Sequence, residues 1–430
     1  MSQVTGQFVA DPSGETRGSV HSGTNGSGSP RRPRILHVEV GGMLGGSGVC
    51  ADLHLRFCDD RFDHELLFYS LPRERQLESG KRFVIRDLAW QVTAASGGAS
   101  VGKASVRNFI KRIPVVAKLA AAGVRMSGYP REIHRAWKLA QLFRRGEYDL
   151  IHCNNNFNYQ PSTSLGAWLA GKPLVAHYRT PVPVSGFDRW LARRADVIIA
   201  INENVAQDLA GKGIRDHVVV CHDPCERPQA SRCERLRQQL LPRGGTLLVG
   251  SISRLEANKG MDLLLHAAKS LRSSWPEVRY VIVGTGSQLG GLQQLAAQLG
   301  VEDLVQFTGF VPDAYAHLAC MDVFVCPSHF EGGPLTVLEA MALGVPVVTT
   351  NVGAVDQWIR SHQDGVIVPV GNAAGLAQGL DLLLGNAELR QRIGKSAALR
   401  ARQFGDPAEA AKQLEAVFAR VLEQRASRHR

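Results

Sequence analysis

The chain has 430 residues, of which 44% are hydrophobic and 21% charged, and it carries a formal net charge of +11. That length exceeds one ordinary core, so two domains are expected, and the composition is globular rather than fibrous or low-complexity. No apolar run approaches the ~20 residues that a helix needs to cross a bilayer.

Residues 1–33 are rich in Ser, Gly and Thr and nearly empty of large apolar groups. They read as a disordered tail without an apolar signal core. Arg34–Val40 is a short strand pattern, followed by the glycine loop from Gly41 to Gly48, with Gly45-Gly46 at its centre, and a helical stretch from about Val49 to Cys58. Strand, glycine loop and helix is the phosphate-approach geometry of a nucleotide fold. It is neither a full dinucleotide fingerprint nor a P-loop, because no Lys-Ser/Thr pair closes the loop.

From Lys103 to Arg145 there are eleven basic residues and one acid, Glu132, interleaved with Phe109, Ile110, Ile113, Val115, Val116 and Leu119. A basic, partly amphipathic helical region suits an anionic membrane surface or an acceptor carrying a lipid diphosphate. A solvated helical face is the bland alternative. Nucleic acid ranks last and is not expected as a partner, since no recognised nucleic-acid motif accompanies the charge.

Further strands are expected at Asp149–Cys153, Pro173–His177 and Asp196–Ala200, separated by helical stretches, which makes this half a parallel sheet with covering helices. The eight cysteines are scattered among apolar neighbours and suit a reducing cytoplasm. One cluster, Cys221-His222-Asp223-Pro224-Cys225 with Cys233 beyond, could hold zinc. It lacks a paired C-x-x-C and falls in the Pro- and Arg-rich stretch from about Asp223 to Arg243, so a linker with ordinary thiols is the favoured reading.

The second half repeats the plan. Thr246–Gly250 is a strand leading to Arg254, then Asn258-Lys259-Gly260 and a helix from about Met261 to Leu271. Strands recur at Tyr280–Gly284, Val305–Phe307, Val323–Val325, Val345–Val348 and Gly365–Val368. The fold class is therefore α/β, with two doubly wound Rossmann-like domains facing across a cleft and ligands at the C-terminal strand ends.

The most informative stretch is Ser328-His329-Phe330-Glu331-Gly332-Gly333-Pro334-Leu335-Thr336-Val337-Leu338-Glu339-Ala340-Met341-Ala342. Two carboxylates flank a glycine turn, and the second rides on an apolar helix. Gly332 and Gly333 let the backbone approach a ligand closely, and Pro334 suits the first helical position. First-turn N–H groups, Leu335 and Thr336 among them, then face an anion favoured by the helix dipole. The alternative is a buried βαβ crossover whose acids only cap and decorate a helix.

This stretch, continuing through Ala340–Thr350, Asn351–Ala354 and Asp364-Gly365, resembles the retaining, nucleotide-sugar-dependent glycosyltransferases of family 4, which have the GT-B fold. Their two glutamates, separated by seven residues, match Glu331 and Glu339. The resemblance implies a catalytic set of Glu331, His177, Arg254 and Lys259. Arg254 and Lys259 would hold the donor diphosphate and neutralise the leaving group, which two fixed cations beside a helix end can do. Glu339 would accept bonds from the ribose hydroxyls, and Glu331 would face the transferred sugar. His177 would stand near the reacting sugar, although Tyr178 replaces the acid that often follows; a strand-end histidine packed or bonded structurally is the alternative. Gly45, Gly46, Gly284, Gly332, Gly333, Leu335 and Thr336 complete the implied donor site, with Gly284-Thr285-Gly286 near the base or simply a strand–helix turn. Gly45-Gly46 are followed by Ser47-Gly48, where many relatives have a small residue and Glu.

The implied mechanism is front-face attack, with the departing phosphate deprotonating the acceptor. The chain has no Asp-x-Asp, so no metal and no cofactor beyond the nucleotide-sugar co-substrate is expected. The partners implied are a nucleoside-diphosphate-sugar and a glycan or lipid-linked acceptor, with a cytoplasmic location peripheral to the membrane. The expected layout is a tail (1–33), an acceptor domain (34–222), a linker (223–243), a donor domain (244–405), and a C-terminal helix returning to the first domain (406–430). Two other readings share the architecture: a nucleotide-sugar epimerase, and a non-catalytic scaffold that binds a nucleotide sugar or glycan.

Overall fold

The computed structural model describes residues 31–40, 46–68, 85–87, 130–226, 234–241 and 246–428. Pro33–Arg430 forms one unit built on two parallel sheets. The first contains β1 (Arg34–Glu39), β2 (Asp63–Phe68), β3 (Ile85–Asp87), β4 (Leu150–Asn156), β5 (Leu174–Tyr178), β6 (Val197–Ala200) and β7 (Val218–Val220), in the order β3-β2-β1-β4-β5-β6-β7. The second contains β8 (Leu247–Ile252), β9 (Val278–Val283), β10 (Val305–Gly309), β11 (Val323–Cys326), β12 (Val347–Thr350) and β13 (Val366–Val368), in the order β10-β9-β8-β11-β12-β13.

These strands read as continuous apolar runs because helices cover both faces of a parallel sheet. All four residues of β6, β11 and β12 are buried. The doubly wound fold and both halves of the expected plan are present. Sequence reading passed over β2, β3 and β7, of which β3 and β7 are only three residues long.

Both sheets reverse their winding once, between β1 and β4 and again between β8 and β11. At such a reversal the flanking connections leave in opposite directions, and a crevice opens beyond the strand ends. The ends of β1, β4, β8 and β11 are therefore where a ligand can sit.

Three helices matter below: α1 (Gly46–Phe57), α2 (Pro130–Arg145) and α3 (Pro161–Ala170). Ile133, Ala136, Leu139, Ala140 and Phe143 place the apolar face of α2 in the core. A Cβ on Gly166 of α3 would lie 3.0 Å from the Ala136 carbonyl oxygen, so the two helices pack closely and a side chain there would push them apart by a few tenths of an ångström. The apolar face of α2 is thus consumed inside the fold and presents no free amphipathic surface, contrary to what the sequence pattern implied for this part of the basic region. Residues 103–129 of that region lie outside the described residues, as do the tail to residue 30, Gly45, and 227–233 and 242–245 of the linker stretch.

The Pro407–Arg428 helix starts on Asp406, whose carboxylate accepts from the N–H groups of Ala408 and Glu409 at 3.1 and 3.0 Å. Its stripe Leu414, Val417, Phe418 and Val421 packs onto Ile35, Leu150, Val175 and Val197 of the first sheet. Arg425 closes the contact with a two-pronged bond to Asp196, at 2.8 and 2.9 Å.

Candidate active site

At the end of β11 the chain turns through Pro327–Glu331 against the 257–260 turn that follows β8. His329 N–H donates to the Asn258 carbonyl at 2.8 Å, and Asn258 Nδ2 donates to the Phe330 carbonyl at 3.3 Å. Gly260 sits at φ +63°, and a Cβ there would overlap the Pro327 carbonyl oxygen. This close approach brings Lys259 to Glu331, and the two form an ion pair. Ser328 Oγ donates to the same carboxylate oxygen at 3.1 Å, while Thr350 Oγ1 holds the Ser328 carbonyl at 2.6 Å.

Arg254 is exposed on the loop beyond β8, five residues before Lys259. The loop is buttressed from below. Gly284 adopts φ +132°, and a Cβ on it would overlap the Ser253 carbonyl oxygen. Leu255 N–H donates to the Thr285 carbonyl at 2.8 Å. Gly284-Thr285-Gly286 therefore supports the backbone that carries Arg254.

The Leu335–Ala342 helix begins one residue later than expected, with Pro334 at its cap rather than its first position. Leu335 and Thr336 form its half-buried first turn, and the first N–H groups of such a turn have no intrahelical acceptor. Glu339 is buried on this helix, and Tyr315 Oη donates to it at 3.1 Å. Burial pushes the Glu339 carboxyl up to about 7; the Tyr315 bond pulls it down and nearby Glu226 adds to the rise.

The glycine turn differs from expectation. A Cβ on Gly332 would overlap the carbonyl oxygen of Arg179, at the end of β5 in the other half. Asn202 Nδ2 donates to the Gly332 carbonyl at 2.8 Å, and Asn204 Nδ2 to the Gly353 carbonyl at 2.8 Å. The close approach that glycine permits here is between the two halves of the chain. Gly333 lies 3.4–3.5 Å from Trp358 and Ile201 by the same construction, again a packing contact.

His177 has the structural surroundings that a strand-end histidine can also have. Its ring is buried, with Nδ1 2.8 Å from His152 Nε2, and His152 Nδ1 is 2.8 Å from His37 Nδ1. Register explains this: His37 and His152 are direct partners on β1 and β4, so their rings share one face of the sheet. Burial holds His177 well below its ordinary pKa, with Arg179 adding to the effect. Two residues on, Arg179 is a charged side chain at this end of the first sheet. It is buried, ion-paired to Asp223, and bonded to the Asn154 carbonyl at 2.8 Å and to Asn154 Oδ1 at 3.0 Å.

Sequence reasoning also missed the polar end of the first sheet. Glu39, fully buried at the end of β1, accepts from Asn154 Nδ2 at 2.6 Å and Ser47 Oγ at 3.2 Å. That network fixes the start of α1, where Gly46 is the first residue. Asn154-Asn155-Asn156 was the available signal, because three asparagines ending an apolar strand need a shared polar site. Among the described residues, the Cys221–Cys225 stretch does not converge as metal ligands; Asp223 is taken by Arg179, and Cys225 N–H by the Gly405 carbonyl at 2.8 Å.

The comparisons with known proteins agree with this geometry. Residues 233–400 match the family model "Glycosyl transferases group 1", and residues 90–225 match "Glycosyltransferase Family 4". The D-inositol 3-phosphate glycosyltransferase of Streptomyces scabiei is 31% identical over 330 residues, covering 67% of this chain and 71% of the relative. The chain belongs to the group 1 glycosyltransferases. The lipopolysaccharide core biosynthesis glycosyltransferase LpsE of Rhizobium meliloti is 32% identical over 148 residues, 34% of this chain and 42% of that one. HepE of Anabaena, solved in complex with UDP and glucose, superposes with a TM-score of 0.70 at 20% identity. That likeness covers 90% of this chain and 99% of HepE and establishes the GT-B fold.

Proposed function

We propose that this glycosyltransferase moves a sugar from a nucleoside-diphosphate donor, with retention of configuration, to a glycan or glycolipid acceptor in cell-surface polysaccharide or glycoconjugate synthesis. The observation that carries the reading is the convergence of Lys259, Glu331 and the first turn of the Leu335–Ala342 helix at the winding reversal of the second sheet. The bond from the anomeric carbon to the diphosphate oxygen breaks, and the acceptor oxygen bonds the same face. The acceptor proton passes to the departing phosphate. Charge builds on that phosphate, where Lys259, Arg254 and the helix end stabilise it. Glu331 bonds a sugar hydroxyl and steadies the positive charge on the ring, and Glu339 takes the ribose.

No divalent metal is needed at the donor in this scheme, and Mg²⁺ or Mn²⁺ added to protein dialysed free of both should leave turnover unchanged. The enzyme works in the cytoplasm beside the membrane that holds its acceptor. No helix among the described residues is long and apolar enough to cross a membrane.

The test is a thermal-shift screen against UDP-, GDP- and ADP-sugars, because a ligand of the native state raises Tm by mass action. The structural likeness to a UDP-bound protein makes UDP-sugars the first arm. Transfer with the hit donor is then followed by NMR of the product anomer. Donor rearranged without any acceptor would replace the proposal with epimerisation, and a shift without transfer or rearrangement would leave a scaffold.

A further inference from the structure

Cys58, His64 and Glu415 meet where the final helix crosses the first sheet. Cys58 follows α1, His64 lies on β2, and Glu415 projects from the Pro407–Arg428 helix. Among the described residues they are the one group of three or more Cys, His, Asp or Glu whose ligand atoms converge, all within 4.8 Å of one another. The side chains of His64 and Glu415 are 6% and 4% exposed. His64 Nε2 and Glu415 Oε1 are buried without a hydrogen-bond partner, and they stand 3.7 Å apart. That is too far for a hydrogen bond. They can pair only as opposite charges, with the imidazole protonated, and two buried polar atoms without hydrogen bonds are costly unless something sits between them.

We propose that Cys58, His64 and Glu415 bind one zinc ion that fastens the final helix to the first sheet. From zinc bond lengths and a tetrahedral angle, a nitrogen and an oxygen on one ion lie about 3.3–3.4 Å apart, against 3.7 Å between His64 Nε2 and Glu415 Oε1, and the sulfur has to close in from within 4.8 Å. A thiolate, an imidazole and a carboxylate form a borderline-soft set that suits zinc rather than magnesium or calcium. On binding, the thiol proton leaves for solvent and a sulfur–zinc bond forms. Thiolate and carboxylate then balance the two charges of the ion, and water completes the coordination.

The surroundings already orient the ligands. His64 Nδ1 is 2.9 Å from His37 Nε2, and His37 continues the chain to His152 and His177. With His64 Nδ1 donating into that chain, each ring passes one N–H to the next and His64 Nε2 is left with a bare lone pair. A second-shell bond of this kind commonly fixes the tautomer of a metal-bound histidine. Glu415 Oε2 is held by Arg61 at 3.3 Å, which leaves Oε1 for the ion. Arg61, half exposed, is the solvent-side neighbour of the Glu415 carboxylate.

The experiment uses the full chain, stripped with chelator and dialysed, then titrated with zinc against a chromophoric competitor and separately with cobalt. One equivalent per chain is expected, with a thiolate-to-cobalt charge-transfer band and a rise in Tm. Cys58→Ser should abolish the band, and Glu415→Gln should weaken zinc affinity at least tenfold. The double variant Cys221→Ser/Cys225→Ser should keep both equivalent and band. The unsubstituted protein binding no zinc, or taking up cobalt without the sulfur band, would overturn the assignment. Zinc affinity unchanged in Cys58→Ser or Glu415→Gln would overturn it as well.

Discussion

Lys259 and Glu331, 72 residues apart in sequence, share an ion pair at the C-terminal ends of β8 and β11. A cation held by a carboxylate in the resting site is preorganised: it need not be gathered from solvent when charge develops on the leaving phosphate. Glu331 in turn is fixed by Ser328. We predict that Lys259→Ala and Arg254→Ala each lower turnover by on the order of a hundredfold, as for loss of a placed electrostatic contact. Steady-state kinetics on folded variants check this, and a double variant turning over at the wild-type rate would sink the assignment.

The raised pKa of Glu339 gives two pH effects with opposite consequences. A carboxyl whose folded pKa lies above its unfolded value contributes stability that is fully present below about 4.3 and is lost as pH rises through about 7. Ionisation, however, makes it a better acceptor for ribose hydroxyls. Donor affinity should therefore tighten as pH rises through about 7 while the apo protein loses melting temperature over the same range. Glu339→Gln should flatten both profiles. Titration calorimetry and melting scans from about pH 5 to 8 measure them; a pH-independent donor Kd in the wild type would remove Glu339 from the ribose.

Much of the fold was legible because parallel strands buried on both faces announce themselves as short apolar runs, and the glycine turns punctuate them. Lys259, Arg254, Glu331 and Glu339 were legible one by one from their places at strand and helix ends. Their relationships were not, because the Lys259–Glu331 pair depends on how two distant strands lie side by side. His177 shows the same limit. Which face of β5 it occupies, and the presence of His152 beside it, are set by register across the sheet. The meaning of Gly332 was legible only as a need for close approach, with the approaching group left unnamed.

That approaching group makes the third prediction. Adding a methyl at Gly332 drives it into the Arg179 carbonyl and forces the two halves apart. Gly332→Ala should cost about 1–3 kcal/mol, as overpacking does, lower Tm by a few degrees, and weaken donor binding by displacing the helix start that follows. Gly290→Ala is the control, since it lies in the Leu289–Leu299 helix with nothing within 4 Å of its Cβ. That substitution should be neutral or mildly stabilising. Equal melting of the two variants would show that the Gly332 contact carries no load.

The last prediction concerns the basic region. With Ile133, Ala136, Leu139, Ala140 and Phe143 buried, α2 offers a membrane only its polar face, where Arg144, Arg145 and the half-exposed Trp137 lie. Docking there must be electrostatic, with at most shallow aromatic insertion. Attraction of that kind is screened as the Debye length falls from ~10 Å at 0.1 M salt to ~3 Å at 1 M. Each basic residue near an anionic surface is worth about 1 kcal/mol, so removing three should cut affinity by on the order of a hundredfold or more. Vesicle co-sedimentation of the wild type and of Lys138→Glu/Arg144→Glu/Arg145→Glu, three basic residues of α2, at low and high salt, measures both effects. Equal binding to neutral and anionic vesicles, or no loss in the triple variant, would leave the region as a solvated face and direct the acceptor search to soluble glycans.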